Sequence, residues 1–373
     1  MTDGSPAGEA TESSPATGGA PEVGALDRKT PQVPDLPERL LLDLHGACNL
    51  RCPMCLLHGS DDRAAVKAKI GTMGVERARR ILDEVMQARP LVQPSMWGEP
   101  LLAPELRAHI ADMKARGIAV ALNTNGLTLT EALARFFVDV KLDSIFFSLD
   151  ATTPETLKRV RGVDKLDKIK RNLATMLRVR AAADYPRIGA TITVQAENEH
   201  EVDEFVDSWT NIVDVVRVGA VFEGGRLTGI DLPDERVPCH ALYQTMPIHA
   251  NGDVSICCFD SFGTEIMGNV FADGVKAVWH GEAFSRVRRL HETGQWDEVP
   301  FCRECNAWAG YEYDEDIRDG LLIRRSNQFV YYNRLDRLAN WHDRLRGHVP
   351  PDREKLASIG SGVAACAPAG PGD

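Results

Sequence analysis

Two groups of cysteines carry most of the chemistry this sequence offers. Cys48, Cys52 and Cys55 follow the spacing C-x3-C-x2-C, and Cys239, Cys257, Cys302 and Cys305 form a wider set ending in C-x2-C. Cys258 and Cys366 stand outside both sets. In a chain of this size, thiols spaced this way read as metal ligands rather than as a disulfide framework. A [4Fe–4S] cluster is normally held by four cysteines, so the first set would leave one iron open to an outside ligand. Zinc is the alternative there, with His45 or His58 as its fourth ligand. The second set supplies four thiols, which closes a cluster with no open iron or holds a structural zinc.

The rest of the chain must position those thiols. It has 373 residues, 43% hydrophobic and 26% charged, with a formal net charge of −11 from interleaved acidic and basic residues. That excludes the basic stripe of a nucleic-acid surface. No apolar run is long enough to span a bilayer and no secretory signal opens the chain, so we expect no membrane partner and a cytoplasmic location.

Residues 1–35 and 350–373 are rich in Ala, Gly, Pro, Ser and Thr and read as disordered tails. Between them strands are expected over 40–44, 92–97, 119–123, 144–149, 188–194 and 215–222, with helices over 72–88, 105–116, 131–138, 165–181 and 201–209. Strands alternating with helices predict an α/β fold, a partial (β/α)6 TIM-like barrel over 36–232 with its chemistry at the C-terminal strand ends. Residues 233–310 read as a small α+β domain with one helix over 275–290 and too little apolar material for its own core, so that a metal cluster would supply stability. Its Asn251-Gly252 turn predicts a hairpin that carries Cys257 back toward Cys239. Residues 311–349 read as a helical extension, with Phe329, Tyr332, Leu335, Leu338 and Trp341 on one apolar face.

With its cysteine triplet after the first strand, the chain resembles the radical S-adenosylmethionine (SAM) superfamily. The resemblance implies that the open iron binds the amino and carboxylate groups of SAM. Electron transfer then yields methionine and a 5′-deoxyadenosyl radical that takes a substrate hydrogen. Trp97-Gly98-Glu99-Pro100 is similar to the family's Gly-Gly-Glu segment at the methionine amino group, with Trp97 replacing the first glycine. Asn123 and Asn125 end the third strand, Ser148 and Asp150 the fourth, and Arg161-Gly162 resembles a motif whose arginine approaches SAM. Each has a structural alternative: Gly98 could serve a turn and Asp150 could cap a helix.

The second set, with Asn251-Gly252 and Gly268-Asn269 within it, resembles the SPASM/twitch region that follows radical SAM barrels. That implies one auxiliary [4Fe–4S] cluster, two in all, with SAM as the other cofactor. The overall likeness is to a glycoside epimerase of the avilamycin-pathway type, acting on a sugar or glycoside in antibiotic biosynthesis. A reducing partner such as flavodoxin or ferredoxin would feed it. In that reading Cys258 returns a hydrogen atom; the alternative is a packed thiol, since adjacent strand residues face opposite ways. A twitch-type dehydrogenase of an aminocyclitol or sugar, whose cysteine spacing is similar, is the second reading. A peptide-modifying maturase is the third, and sensing or electron transfer without catalysis the fourth. Asp43, His45, His58, Glu223 and Asp260 are candidate substrate contacts.

Two four-iron clusters predict about eight irons per chain. Ala in place of Cys48, Cys52 or Cys55 should abolish 5′-deoxyadenosine formation, and a variant that still makes it at the wild-type rate refutes the ligand assignment.

Overall fold

The computed structural model describes Met1 and residues 31–340; residues 2–30 of the tail expected over 1–35, the whole tail expected over 350–373 with Cys366, and Trp341 lie outside the described residues. Six parallel neighbours form the centre of the fold: β1 (Arg39–Leu42), β2 (Leu91–Gln93), β3 (Ala119–Thr124), β4 (Ser144–Ser148), β5 (Arg187–Val194) and β6 (Val215–Ala220). The helices α1 (Arg63–Lys69), α2 (Val75–Val85), α3 (Leu106–Ala115), α4 (Glu131–Asp139), α5 (Pro154–Arg161), α6 (Leu166–Arg180) and α7 (Val202–Trp209) run between them. Side chains alternate across each strand. Leu40, Leu42, Val120 and Leu122 join the main apolar core. Their neighbours Arg39, Leu41, Ala121 and Asn123 line a cavity on the other face. Helix α2 completes its side of the core with Ala78, Ile81, Leu82 and Val85, a stripe at helical spacing.

At the N-terminal strand ends two aspartates repeat one device. Asp143, just before β4, accepts the Val120 N–H at 2.8 Å and pairs with Lys114. Asp214, just before β6, accepts the Ile188 N–H at 2.8 Å, pairs with Arg180 and receives Arg337 Nε at 3.1 Å. Each carboxylate ties the start of one strand to its neighbour and to a basic side chain from outside the sheet.

The six-stranded sheet does not close on itself. After a short hairpin, β7 (Phe222–Glu223) with β8 (Arg226–Leu227), and the one-turn helix α8 (Ala241–Gln244), the chain adds strands at both edges. β9 (Thr245–Ile248) pairs parallel with β1, and β10 (Asp253–Ser255) returns antiparallel beside it, followed by β11 (Ile266–Asn269). Gly252 turns that hairpin with φ of 90°, and a Cβ there would come within 2.4 Å of the Phe271 ring. At the far edge β12 (Asp314–Arg318), β13 (Leu321–Arg325) and β14 (Phe329–Arg334) form an antiparallel meander, with β14 against β6, making a twelve-stranded sheet separate from the β7–β8 hairpin.

The helical extension expected over 311–349 is therefore wrong across its described part. Phe329-Val330-Tyr331-Tyr332 has strand-type composition, and the open β6 edge offers it backbone partners; a 3₁₀ turn at Leu335–Asn340 follows. The helix expected over 275–290 divides into Val275–Trp279 and Glu282–Glu292, with His280-Gly281 between them. The stretch before β1 is anchored at 34–35, because Trp279 Nε1 donates to the Pro34 carbonyl at 2.9 Å and Lys276 pairs with Asp35 at 2.5 Å. Helix α5 escaped the periodicity reading, although Thr153 as N-cap, Pro154 after it and Gly162 at φ of 73° are standard boundary signals. No helix among the described residues is long and apolar enough to cross a membrane.

Removing one member of a buried pair leaves the other charge uncompensated. Asp214→Ala should destabilise the fold by about 3–5 kcal/mol, measured by urea denaturation; a midpoint equal to wild type contradicts the clamp.

Candidate active site

The first cysteine loop leaves the C-terminal end of β1 and is held by its own backbone. The Cys55 N–H donates to the Cys52 carbonyl at 2.9 Å, and the Gly59 N–H to the Cys55 carbonyl at 2.9 Å. The amides of Leu50 and His58 point at the sulfurs of Cys48 and Cys55, at 3.4 and 3.3 Å. The segment ending β2 presses against this loop. The Glu99 N–H donates to the Ala47 carbonyl at 2.9 Å, and a Cβ on Gly98 would lie 1.9 Å from the His45 carbonyl oxygen. Only glycine fits that approach.

Cys48, Cys52 and Cys55 face a cavity of about 540 Å³ inside the sheet, a size ordinary for small-molecule sites. The second set lies around a separate, smaller cavity of about 30 Å³, lined by Cys239, Cys257, Cys302 and Cys305 with Arg236, His291 and Tyr311. Cys257, Cys258 and Tyr311 line both cavities. Burial pushes the Cys48 thiol up to about 11 and the Cys239 thiol up to about 12, and raises Cys257 well above the usual thiol range. Bare thiolates are thus costly here, and a bound metal group is what would stabilise them. The donor sets fit such groups: three thiols open to a roomy cavity, and four gathered around a small one.

Residues 43–208 match the Radical SAM superfamily, and residues 239–306 match the SPASM iron-sulfur cluster-binding domain. The chain carries a radical SAM domain followed by a SPASM domain. SAM and [4Fe–4S] clusters are the cofactors these domains imply. A curated relative is the tungsten-containing aldehyde ferredoxin oxidoreductase cofactor-modifying protein of Pyrococcus furiosus, 25% identical over 272 residues, or 68% of this chain and 71% of that one. Among solved structures, BtrN in complex with AdoMet and 2-DOIA aligns with TM-score 0.51 and 17% identity over 73% of this chain and 93% of that one. AnSMEcpe with bound AdoMet aligns with TM-score 0.54 and 14% identity over 88% and 96%.

Within the radical SAM domain, Gly98, Glu99, Asn123, Asn125, Ser148 and Arg161 all line the large cavity. Glu99 is buried, and its carboxylate accepts the Thr124 hydroxyl at 2.6 Å and the amides of Asn125 and Leu101 at 2.8 and 3.1 Å. It braces the end of β3 against the β2 segment; burial raises its pKa while these donors oppose the rise. Asn125 Nδ2 donates to Asn49 Oδ1 at 2.8 Å, fastening the same end to the cysteine loop. Asp150 is absent from the cavity wall and lies behind Arg161, holding its Nε at 2.7 Å and accepting the Thr193 N–H at 2.7 Å. Arg161, in the last turn of α5, is thereby fixed with a guanidinium nitrogen 4.0 Å from Cys52 Sγ. Burial would lower the Arg161 pKa, but Asp150 and Cys52 outweigh it and raise it.

The polar residues expected to meet substrate do not line the large cavity. His45 bonds Thr72 at 2.8 Å and His58 bonds the Gly46 carbonyl at 3.0 Å. Asp260 accepts the Thr264 amide and hydroxyl and the Glu265 amide, at 2.8, 2.9 and 2.9 Å. Burial lifts Asp43 to about 6, against the opposing hydrogen bond from Met96, and neither it nor the exposed Glu223 lines the cavity. The wall is instead built by Arg39, Gln93, Arg217, Tyr311, Tyr313, Gln328 and Phe329. Alternation along β1, β2 and β6 could have revealed Arg39, Gln93 and Arg217, whereas Gln328 and Phe329 depended on the unforeseen β14 edge.

Gly98→Ala must displace the cysteine loop. We expect its iron content to fall by about half, to the four irons of one cluster, with SAM binding lost; full iron and wild-type SAM affinity would contradict the close approach.

Proposed function

We propose that the chain uses SAM to generate a radical that takes hydrogen from a carbinol carbon of a sugar or glycoside, and that it epimerises that carbon in the biosynthesis of an antibiotic-type natural product. The observation that carries this reading is the position of Cys258. It is not needed for the count of cluster ligands, and it lines the same cavity as Cys48, Cys52 and Cys55. With the cofactors bound, a carbon-centred radical becomes available in that cavity. The Cys258 thiol then gives its hydrogen atom to the opposite face of the substrate carbon, forming a C–H bond and leaving a sulfur-centred radical. One electron and one proton restore the thiol, supplied through a reducing partner such as flavodoxin or ferredoxin in the cytoplasm.

Dehydrogenation is the second reading, supported by Cys257. As a SPASM-set thiol on the wall of the substrate cavity, it places the auxiliary site where it could take the substrate's second electron. BtrN, solved in complex with AdoMet and 2-DOIA, is a fold neighbour. The cavity volume also favours a small substrate over a peptide.

Anaerobic turnover in deuterated water with a panel of glycosides and aminocyclitols separates the readings. Epimerisation gives a product of unchanged composition with deuterium on carbon, and Cys258→Ala keeps 5′-deoxyadenosine formation while losing the epimer. A product lighter by one hydrogen molecule, with no carbon-bound deuterium and no effect of Cys258→Ala, means dehydrogenation instead.

A further inference from the structure

Most buried arginines in this chain have evident partners. Arg161 is paired with Asp150, Arg180 with Asp214, and Arg187 donates to Asn333 Oδ1 at 2.5 Å. Two arginines on the cavity wall differ. Arg217 projects inward from β6, its guanidinium carbon 5.1 Å from the centre of the Phe146 ring and 5.6 Å from that of Phe329. Its hydrogen bond is a long one, 3.4 Å to Asn123 Oδ1. Arg39, from β1, donates to Gln93 Oε1 at 2.9 Å, while its buried Nε has no partner. Neither is paired with a carboxylate among the described residues.

The setting of Arg217 is built rather than incidental. A Cβ at position 189 would lie 2.3 Å from the Phe146 ring, and one at 219 would lie 3.0 Å from the Phe329 ring. Gly189 and Gly219 therefore make the room in which both rings lie. The guanidinium carbon lies over both rings, the cation–π arrangement, and neither ring offers an acceptor for its N–H donors. A cation kept partly desolvated with unused donors is a site for an oxyanion, which Arg meets with paired charge-assisted hydrogen bonds.

We propose that Arg217, with Arg39 on the same wall, anchors a carboxylate or phosphate of the substrate. This deepens the reading of the cavity as a sugar site and rests on it: the sugar is acidic, either a sugar acid or a sugar phosphate. Phe146 and Phe329 are the positioning residues that fix the anchor.

The test is equilibrium binding to the full-length, anaerobically reconstituted chain with SAM present, without turnover. Glucuronate, glucose 1-phosphate and neutral methyl glucoside are the probes. At least one anionic probe should bind about tenfold or more tightly than the neutral one, and more weakly as salt rises. Whether the acid or the phosphate wins identifies the source of the charge. Arg217→Gln should remove that preference, Arg217→Lys restore part of it, and both keep wild-type SAM affinity. Arg39→Gln gives a second, independent reading should Arg217→Gln fail to fold. Equal binding of charged and neutral probes, or no anion binding at millimolar concentration, overturns the proposal. So does an Arg217→Gln variant that loses SAM rather than the anionic probe. Because no turnover is needed, the anchor can fail while epimerisation stands, and the reverse.

Discussion

Six parallel strands that stop short of closure leave two rows of backbone donors and acceptors without partners, and such edges must be paired or protected. Here segments that follow the radical SAM domain pair both. β9 lies along β1 and brings the SPASM thiols with it, while β14 lies along β6 and brings Phe329, Tyr331 and Asn333 to the inner face. The same hydrogen bonds that protect the edges therefore decide what the cavity is made of. One end of the sheet meets a site for a second cluster, and the other meets an aromatic and amide wall.

That arrangement lets two metal sites address one space. The cysteine loop is fixed by the backbone approach at Gly98 and by the Glu99 carboxylate, which ties the ends of β2 and β3 together. The SPASM side reaches the same volume through Cys257, Cys258 and Tyr311. His240 stacks on Tyr311, with centroids 5.4 Å apart and planes at 15°, and so supports that wall from behind. Charge is handled differently at each point. Near Cys52 the arginine is neutralised by Asp150, whereas on the far wall aromatic faces take the place of a carboxylate.

Much of this was legible in the sequence, for stated physical reasons. The C-x3-C-x2-C triplet and the closing C-x2-C are local spacings, and the six strands are short apolar runs between helices of clear period. Both are properties of neighbouring residues. Gly98, Glu99 and Asn125, singled out in segments at strand ends, and Arg161, singled out by its likeness to a motif, all line the large cavity. Asp150 was expected beside them and instead lies off the wall, bonded to Arg161. Failures came where the outcome depends on distant partners. Phe329, Tyr332 and Leu335 also satisfy a helical stripe, and only the vacant β6 edge decides for strand. Asp260 and His58 looked available because the amides and carbonyl that occupy them belong to turns no periodicity describes.

The register of β14 against β6 also has a consequence for the order of assembly. Phe329 pairs with Gly219 and Asn333 with Val215, partners widely separated along the chain. During synthesis the six central strands are complete well before residues 329–334 have been made. Until then the inner face, with Cys48, Cys52 and Cys55 on it, is open along a whole side. Residues 329–334 are thus among the last parts of the cavity wall to be made, and until they pair with β6 that edge of the sheet has no partner and Phe329, Tyr331 and Asn333 are missing from the wall.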